Sequence, residues 1–379
     1  VIEDVDGNLF LDLNAGIAVT STGHAHPAVV EAIRRQAGEL LHYSASDFFL
    51  PIYSDVCEEL DRIAPFKEDA RSFLTSSGTE AVEAAIKLAR YATGRQYIIA
   101  MIGSFHGRSY GSVSLTASKA KYRAGFGPLL PGVHHTFFGD REHLDVLFRR
   151  LVSPSEVAAI VVEPILGEGG YVLPPEGWFG YLRELCDRHG ILLVADEVQS
   201  GMGRTGKLWA IQHFGVEPDI VLAGKGIASG LPLGAMIARE SLMTWEVGAH
   251  GSTYGGNPLS CAAALATLKL IEDGLMDNAR EVGGLLVDGL QEVSSRHPSI
   301  REVRGLGLMI GVDFAHHDTM VAVEHAAFRR GLLVLGCGES VVRMSPPLVF
   351  RPDQAETALG IFEEAVAEVE AASDGGTSA

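Results

Sequence analysis

"ILLVADEVQSGMGRTG", residues 191–206, decides the fold, because two readings of it lead to different enzymes. Ile191 to Ala195 are apolar at every position, as in a parallel strand covered by helices on both faces. Gly201 to Gly206 then spell G-x-G-x-x-G, which holds a dinucleotide pyrophosphate when it joins a strand directly to a helix. Here four residues, Glu197 to Ser200, intervene, and the next acids, Glu217 and Asp219, precede a different strand. The spacing favours a tight surface turn whose glycines permit positive φ, and no dinucleotide is expected.

Outward from this stretch, "QYIIAM" (96–101), "AAIVVEP" (158–164) and "DIVLAG" (219–224) read as further buried strands. Amphipathic patterns over 78–94, 177–190 and 257–274 predict helices, with Gly94, Gly190 and Gly274 as their stops. The alternation predicts an α/β large domain over residues 46–274, with a mostly parallel sheet. After residue 275 a helix (277–298) and strand-like runs at 300–314 and 331–338 predict a smaller α+β domain. Residues 1–45, with short strands in "DGNLFLDLNAGIAV" (6–19), are expected to join residues 275–379 in it. The closing "SDGGTSA" (373–379) reads as a frayed end.

A formal net charge of −18 disfavours a nucleic-acid partner. Cys57, Cys186, Cys261 and Cys337 lie far apart, which fits neither a zinc site nor a disulfide scaffold and points to a reducing cytoplasm. The longest strongly apolar run, near 261–271, is too short to span a bilayer, and "VIEDVDGNLF" carries no signal-peptide pattern. His24 and His26 in "GHAHP" lack a third ligand at a sensible spacing, so no metal is expected.

Other residues suit pyridoxal phosphate. That chemistry needs a lysine for the aldehyde, an acid for the ring nitrogen, a phosphate cradle and surfaces against the ring. Lys225 follows "DIVLAG" in an apolar, glycine-rich setting, where desolvation favours the nucleophilic neutral amine; an exposed loop lysine is the plainer alternative. Asp196 ends its strand at the carboxyl edge, where α/β ligands bind, although a strand-end aspartate also serves as a turn former. Ser77, Gly78 and Thr79 open a strong helix. Ser77 and Glu80 make a capping box there, and the same helix end can hold a phosphate. Phe105 and His106 follow another strand and offer an aromatic face, or a core aromatic. Arg343 can grip a carboxylate with two hydrogen bonds, and Glu163 or Glu168 could neutralise it when no carboxylate is bound.

Together these segments closely resemble the class III, or omega, aminotransferases of the fold-type I pyridoxal phosphate enzymes. The likeness rests on "SSGTEAVEAAIKLAR", "FHGRSYGS", "EPILGEGG", "DEVQSGMGRTGKLWA", "AGKGIASGLPLGA" and "GSTYGGNPLSCAAALATL", and covers nearly the whole chain. It implies a large domain with a seven-stranded type of sheet and the smaller α+β domain. It implies that Lys225 holds the cofactor and moves the proton, and that Asp196 pairs with the ring nitrogen. Val198 and Phe105 would flank the ring, with Gln199 on the phenolic oxygen. Gly78 and Thr79 match the phosphate loop. Thr253 matches a threonine that reaches the phosphate in a neighbouring subunit, so a homodimer with shared sites is expected. Glu168 and Arg343 match a gate pair, with Glu163 as a supporting acid. The wording is most similar to 4-aminobutyrate aminotransferases, which transfer an ω-amino group to 2-oxoglutarate in two half-reactions. Ornithine and acetylornithine aminotransferases and some class III racemases share almost every motif. Gly224, where alanine is common in relatives, is one departure, and no loss of activity is expected from it.

Overall fold

The computed structural model describes residues 1–375. Its central sheet has seven strands: β1 Ala70–Thr75, β2 Tyr97–Ile102, β3 Val133–Phe137, β4 Val157–Val162, β5 Leu192–Asp196, β6 Ile220–Ala223 and β7 Gly234–Arg239. Their spatial order is β1-β7-β6-β5-β4-β2-β3. β7 runs antiparallel to both neighbours, and every other adjacent pair is parallel. Six strands therefore point one way, and their carboxyl ends share one edge, where ligands of α/β sheets bind. Residues 157–162, 192–196 and 220–223 are buried throughout, as their unbroken apolar runs require. The edge strands "ARSFLT" and "VHHTF" carry polar residues and give no such signal.

The helix Gly78–Thr93 buries Ala81, Val82, Ala85, Ile86 and Leu88 and stops at Gly94, whose φ of +66° suits glycine. Trp178–His189 ends likewise at Gly190. The stop expected at Gly274 is corrected by the structure. Pro258–Leu270 passes through a π-helical turn, Ile271–Leu275, straight into the helix Met276–Arg296. Gly274, at φ +148°, absorbs the irregularity instead of ending the helix. The surface turn expected at Gly201–Gly206 is also corrected, because all six residues are buried. Arg204 donates from Nη1 to the carbonyl oxygens of Leu308 and Pro346, which draws the turn inward.

Two smaller sheets complete the fold. Leu9–Asp12 pairs antiparallel with Ile2–Glu3 and parallel with Leu332–Leu333. The hairpin Ile300–Leu306 and Met309–Phe314 extends through Val341–Met344 to Leu335–Cys337, all antiparallel. Of the short strands expected over 6–19 only Leu9–Asp12 forms, because Ala15 to Ala18 turn left-handed. Asp12 Oδ1 accepts the Asn14 and Ala15 N–H groups at 2.8 and 2.9 Å, which starts that turn. The pairing of residues near 10 with residues near 332 supports a proposed grouping of 1–45 with 275–379, against 46–274. One apolar core crosses that division through Leu13, Trp209, Leu286 and Phe362. The last helix, Pro352–Gly375, takes in residues 373–375 of the stretch expected to fray, and residues 376–379 of that stretch lie outside the described residues. Among the described residues, no helix is long and apolar enough to cross a membrane.

Candidate active site

Five strand ends of the central sheet meet around a cavity of about 270 Å³. β1 leads to Ser77, Gly78 and Thr79, β2 to Phe105 and His106, and β4 to Glu163 and Glu168. β5 supplies Asp196, Val198 and Gln199, and β6 supplies Lys225. Every residue expected in the site lines this cavity except Arg343 and Thr253.

Lys225 occupies the turn directly after β6 with φ +44°, a strained backbone for a lysine. Burial pushes its amine down to about 8, so neutral amine is available near neutral pH. Asp196 is buried; Oδ1 accepts the Val198 N–H at 3.1 Å, and Oδ2 lies 2.6 Å from His106 Nδ1. Burial opposes charge on His106, but the bond to Asp196 and the charges of Asp196 and Glu163 outweigh it and raise its pKa. His106 thereby braces Asp196 as well as lining the cavity.

The walls are tight. A Cβ on Gly78 would stand 2.7 Å from Val198 Cγ1, so glycine is what lets the helix start so close to β5. Phe105 meets the Tyr122 ring edge-on at 5.5 Å. Ser77 Oγ accepts the Glu80 N–H at 3.4 Å, while Glu80 Oε2 accepts from Ser76, one residue earlier than a reciprocal capping box requires. Thr79 Oγ1 lies 2.8 Å from Ser109 Oγ and 2.5 Å from Ser112 Oγ, which fastens the helix start to the "GRSYGS" loop. Glu163 accepts the Phe105 and Gly167 N–H groups, both at 2.8 Å, and burial pushes its carboxyl up to about 7. Its bonds go to backbone and not to Arg343.

Arg343 is not among the lining residues but donates from Nη1 at 3.0 Å to Oε2 of Glu168, which is part of the lining. Burial raises the Glu168 carboxyl, but Arg343, Tyr122 and Lys119 outweigh it and hold it below the usual carboxylate range. Arg108, Tyr122 and Lys119 were not singled out from the sequence. Arg108 lines the cavity, with its guanidinium 4.3 Å over the Tyr122 ring and 5.6 Å from that of Phe105. A basic residue just past a strand end in "FHGRSYGS" was its readable signal; Tyr122 and Lys119 had none. Thr253 lies on an exposed loop outside this cavity. His24 Nε2 is 2.8 Å from Asp12 Oδ2, and His26 Nδ1 accepts the Ala28 N–H at a helix start.

The family profile described as "Aminotransferase class-III" matches residues 1–366. The chain is a class-III aminotransferase. Acetylornithine aminotransferase of Corynebacterium efficiens is 41% identical, over 98% of this chain and 91% of that protein. The 5-aminovalerate aminotransferase DavT of Pseudomonas putida is 38% identical, over 97% and 91%. A PLP-bound amine transaminase from an uncultivated Pseudomonas species superposes with a TM-score of 0.91 at 32% identity, over 97% of this chain and 93% of that one.

The cofactor of this aminotransferase is pyridoxal phosphate, and its cavity fits that group on three observations. A lysine whose amine is pushed down by burial lines the cavity together with a buried aspartate. The Gln199 amide has a buried Oε1 with no partner among the described residues, so its carboxamide has hydrogen-bonding capacity to offer. The start of the helix Gly78–Thr93 opens on the cavity with a glycine and a hydroxyl, as a phosphate requires.

Proposed function

We propose that this aminotransferase moves the δ-amino group of N-acetylornithine to 2-oxoglutarate. The observation that carries the ω-amino donor and the dicarboxylic acceptor is a pair of arginines in unequal states. Arg343 is neutralised by Glu168, whereas Arg108 has no carboxylate within ion-pair distance among the described residues. An ω-amine donor needs one cation, for its far carboxylate, and Arg108 supplies it while the gate stays paired. A dicarboxylic acceptor needs two, so Arg343 must exchange Glu168 for the second carboxylate. Free ornithine would bring an ammonium toward Arg108 and Lys119, and acylation removes that repulsion. 4-Aminobutyrate satisfies the same charges. The likeness to acetylornithine aminotransferases gives N-acetylornithine the better support.

When bound, pyridoxal phosphate supplies an aldehyde that takes up the amino group and a ring that stabilises negative charge at the reacting carbon. We assign Lys225 Nζ as the group that takes a proton from the donor and returns it to the acceptor. Asp196, braced by His106, is assigned to the ring nitrogen, and Gln199 to the phenolic oxygen. Val198 and Phe105 are assigned to the two faces, and Ser77, Gly78 and Thr79 to the phosphate. Glu163 holds the Phe105 and Gly167 backbone in place. The two half-reactions share one site, which makes the scheme ping-pong.

Two copies are proposed to share their sites through Thr253. Its loop borders a hollow of about 530 Å³ lined by Gly251 and Ser252, with Phe48, Phe49 and Tyr254 exposed. Four unpaired cysteines support the cytoplasm as its compartment. The deciding experiment follows the visible spectrum of the holoenzyme with single donors and no acceptor. Conversion by N-acetylornithine, faster than by 4-aminobutyrate or 5-aminovalerate and reversed by 2-oxoglutarate, is expected. A spectrum that only 4-aminobutyrate changes would transfer the assignment to that donor.

A further inference from the structure

Glu168 has more partners than a simple on–off gate needs. Its Oε2 accepts from Arg343 Nη1 at 3.0 Å. Its Oε1 accepts from Tyr122 Oη at 2.8 Å and lies 3.4 Å from Lys119 Nζ. Arg343 belongs to strand Val341–Met344, while Lys119 precedes the short turn Ala120–Tyr122 and Tyr122 closes it. The two carboxylate oxygens are therefore held by independent parts of the chain.

The Glu168 side chain is 17% exposed and that of Arg343 6%. A carboxylate this buried that loses its cation is strongly destabilised unless another cation and donor remain. We propose that Lys119 and Tyr122 are the second seat of the gate, holding Glu168 after Arg343 has turned to a substrate carboxylate. They thereby favour the dicarboxylic acceptor, and this rests on the reading with 2-oxoglutarate as acceptor. Both are positioning residues, since they touch Glu168 and not the reacting atoms. Tyr122 also carries Arg108 over its ring, so one side chain orders both carboxylate-handling groups.

The consequence is asymmetric. While Arg343 pairs with Glu168, loss of Lys119 still leaves the carboxylate a full partner. Once Arg343 is engaged elsewhere, the same loss leaves Glu168 with Tyr122 alone. The acceptor half-reaction should respond and the donor half-reaction should respond far less.

The test uses holoenzyme of the wild type, Lys119→Met, Lys119→Arg and Tyr122→Phe. Rapid-mixing spectra give the substrate constants of each half-reaction, with N-acetylornithine and then 2-oxoglutarate. Calorimetry gives the Kd of glutarate, an unreactive dicarboxylate. The ratio of acceptor to donor constants is expected to rise about tenfold in Lys119→Met and Tyr122→Phe, the loss of one charge-assisted bond. Glutarate should weaken in parallel, and Lys119→Arg should restore both. Tyr122→Phe keeps the ring beneath Arg108, and Lys119 is 30% exposed, so neither change removes a core side chain. Constants that shift equally in both half-reactions, or not at all, overturn the second seat. If the wild type does not react with N-acetylornithine or 2-oxoglutarate, the functional reading itself fails. Glutarate then still decides the seat: weaker binding by Lys119→Met supports it, and unchanged binding overturns it.

Discussion

At Lys225 burial and backbone strain act on one side chain. Its amine is pushed down to about 8 by desolvation, and its φ of +44° holds the side chain where β6 ends. The neutral form is the nucleophile, and lowering a lysine pKa enlarges that form at lower pH. Capture of pyridoxal phosphate by the apoenzyme should accelerate with pH and level off above about 8, instead of near the ordinary lysine value. Stopped-flow absorbance at a series of pH values checks this, and a rate still climbing steeply at pH 10 would contradict it. Lys225 and Asp196 were legible as residues because each stands at the carboxyl end of an apolar strand. His106 was legible only as a strand-end residue, since its bond to Asp196 spans 90 positions.

Some elements meet closely where a glycine faces backbone. Gly283, in the helix Met276–Arg296, would place a Cβ 2.2 Å from the Gly307 carbonyl oxygen in the turn of the hairpin. That contact is with backbone, so no side chain can rotate away from it. Gly283→Ala should gain the modest helix preference of alanine and lose more to overpacking, a net cost on the order of 2 kcal/mol. A lower Tm with little change in the spectrum of bound cofactor is expected, because the contact lies outside the site. Helix starts and stops followed local chemistry at Gly94 and Gly190, where φ is positive. Gly274 departed from that rule because neighbouring turns continue the helix around it, a choice made by packing.

At the scale of the whole molecule, Thr253 is not part of its own cavity lining and belongs to an exposed loop next to Tyr254, itself exposed. If two copies share sites, Thr253→Ala and Lys225→Ala damage different halves of each composite site. Mixed dimers of these two inactive or weakened variants then contain one site with both native residues. Recovery of activity on mixing and re-equilibrating the variants is expected, and no recovery would refute the shared site. The apolar strands β4, β5 and β6, the layered α/β plan and the chemistry at their carboxyl ends were determined by the sequence alone. Each depends on residue type and period among near neighbours, which a linear reading contains. The tertiary structure alone decided that the Gly201–Gly206 turn is buried and that Glu168, beside its Arg343 partner, also accepts from Tyr122, 46 positions away. Such contacts depend on how distant loops pack over the sheet edge, and no local periodicity encodes that.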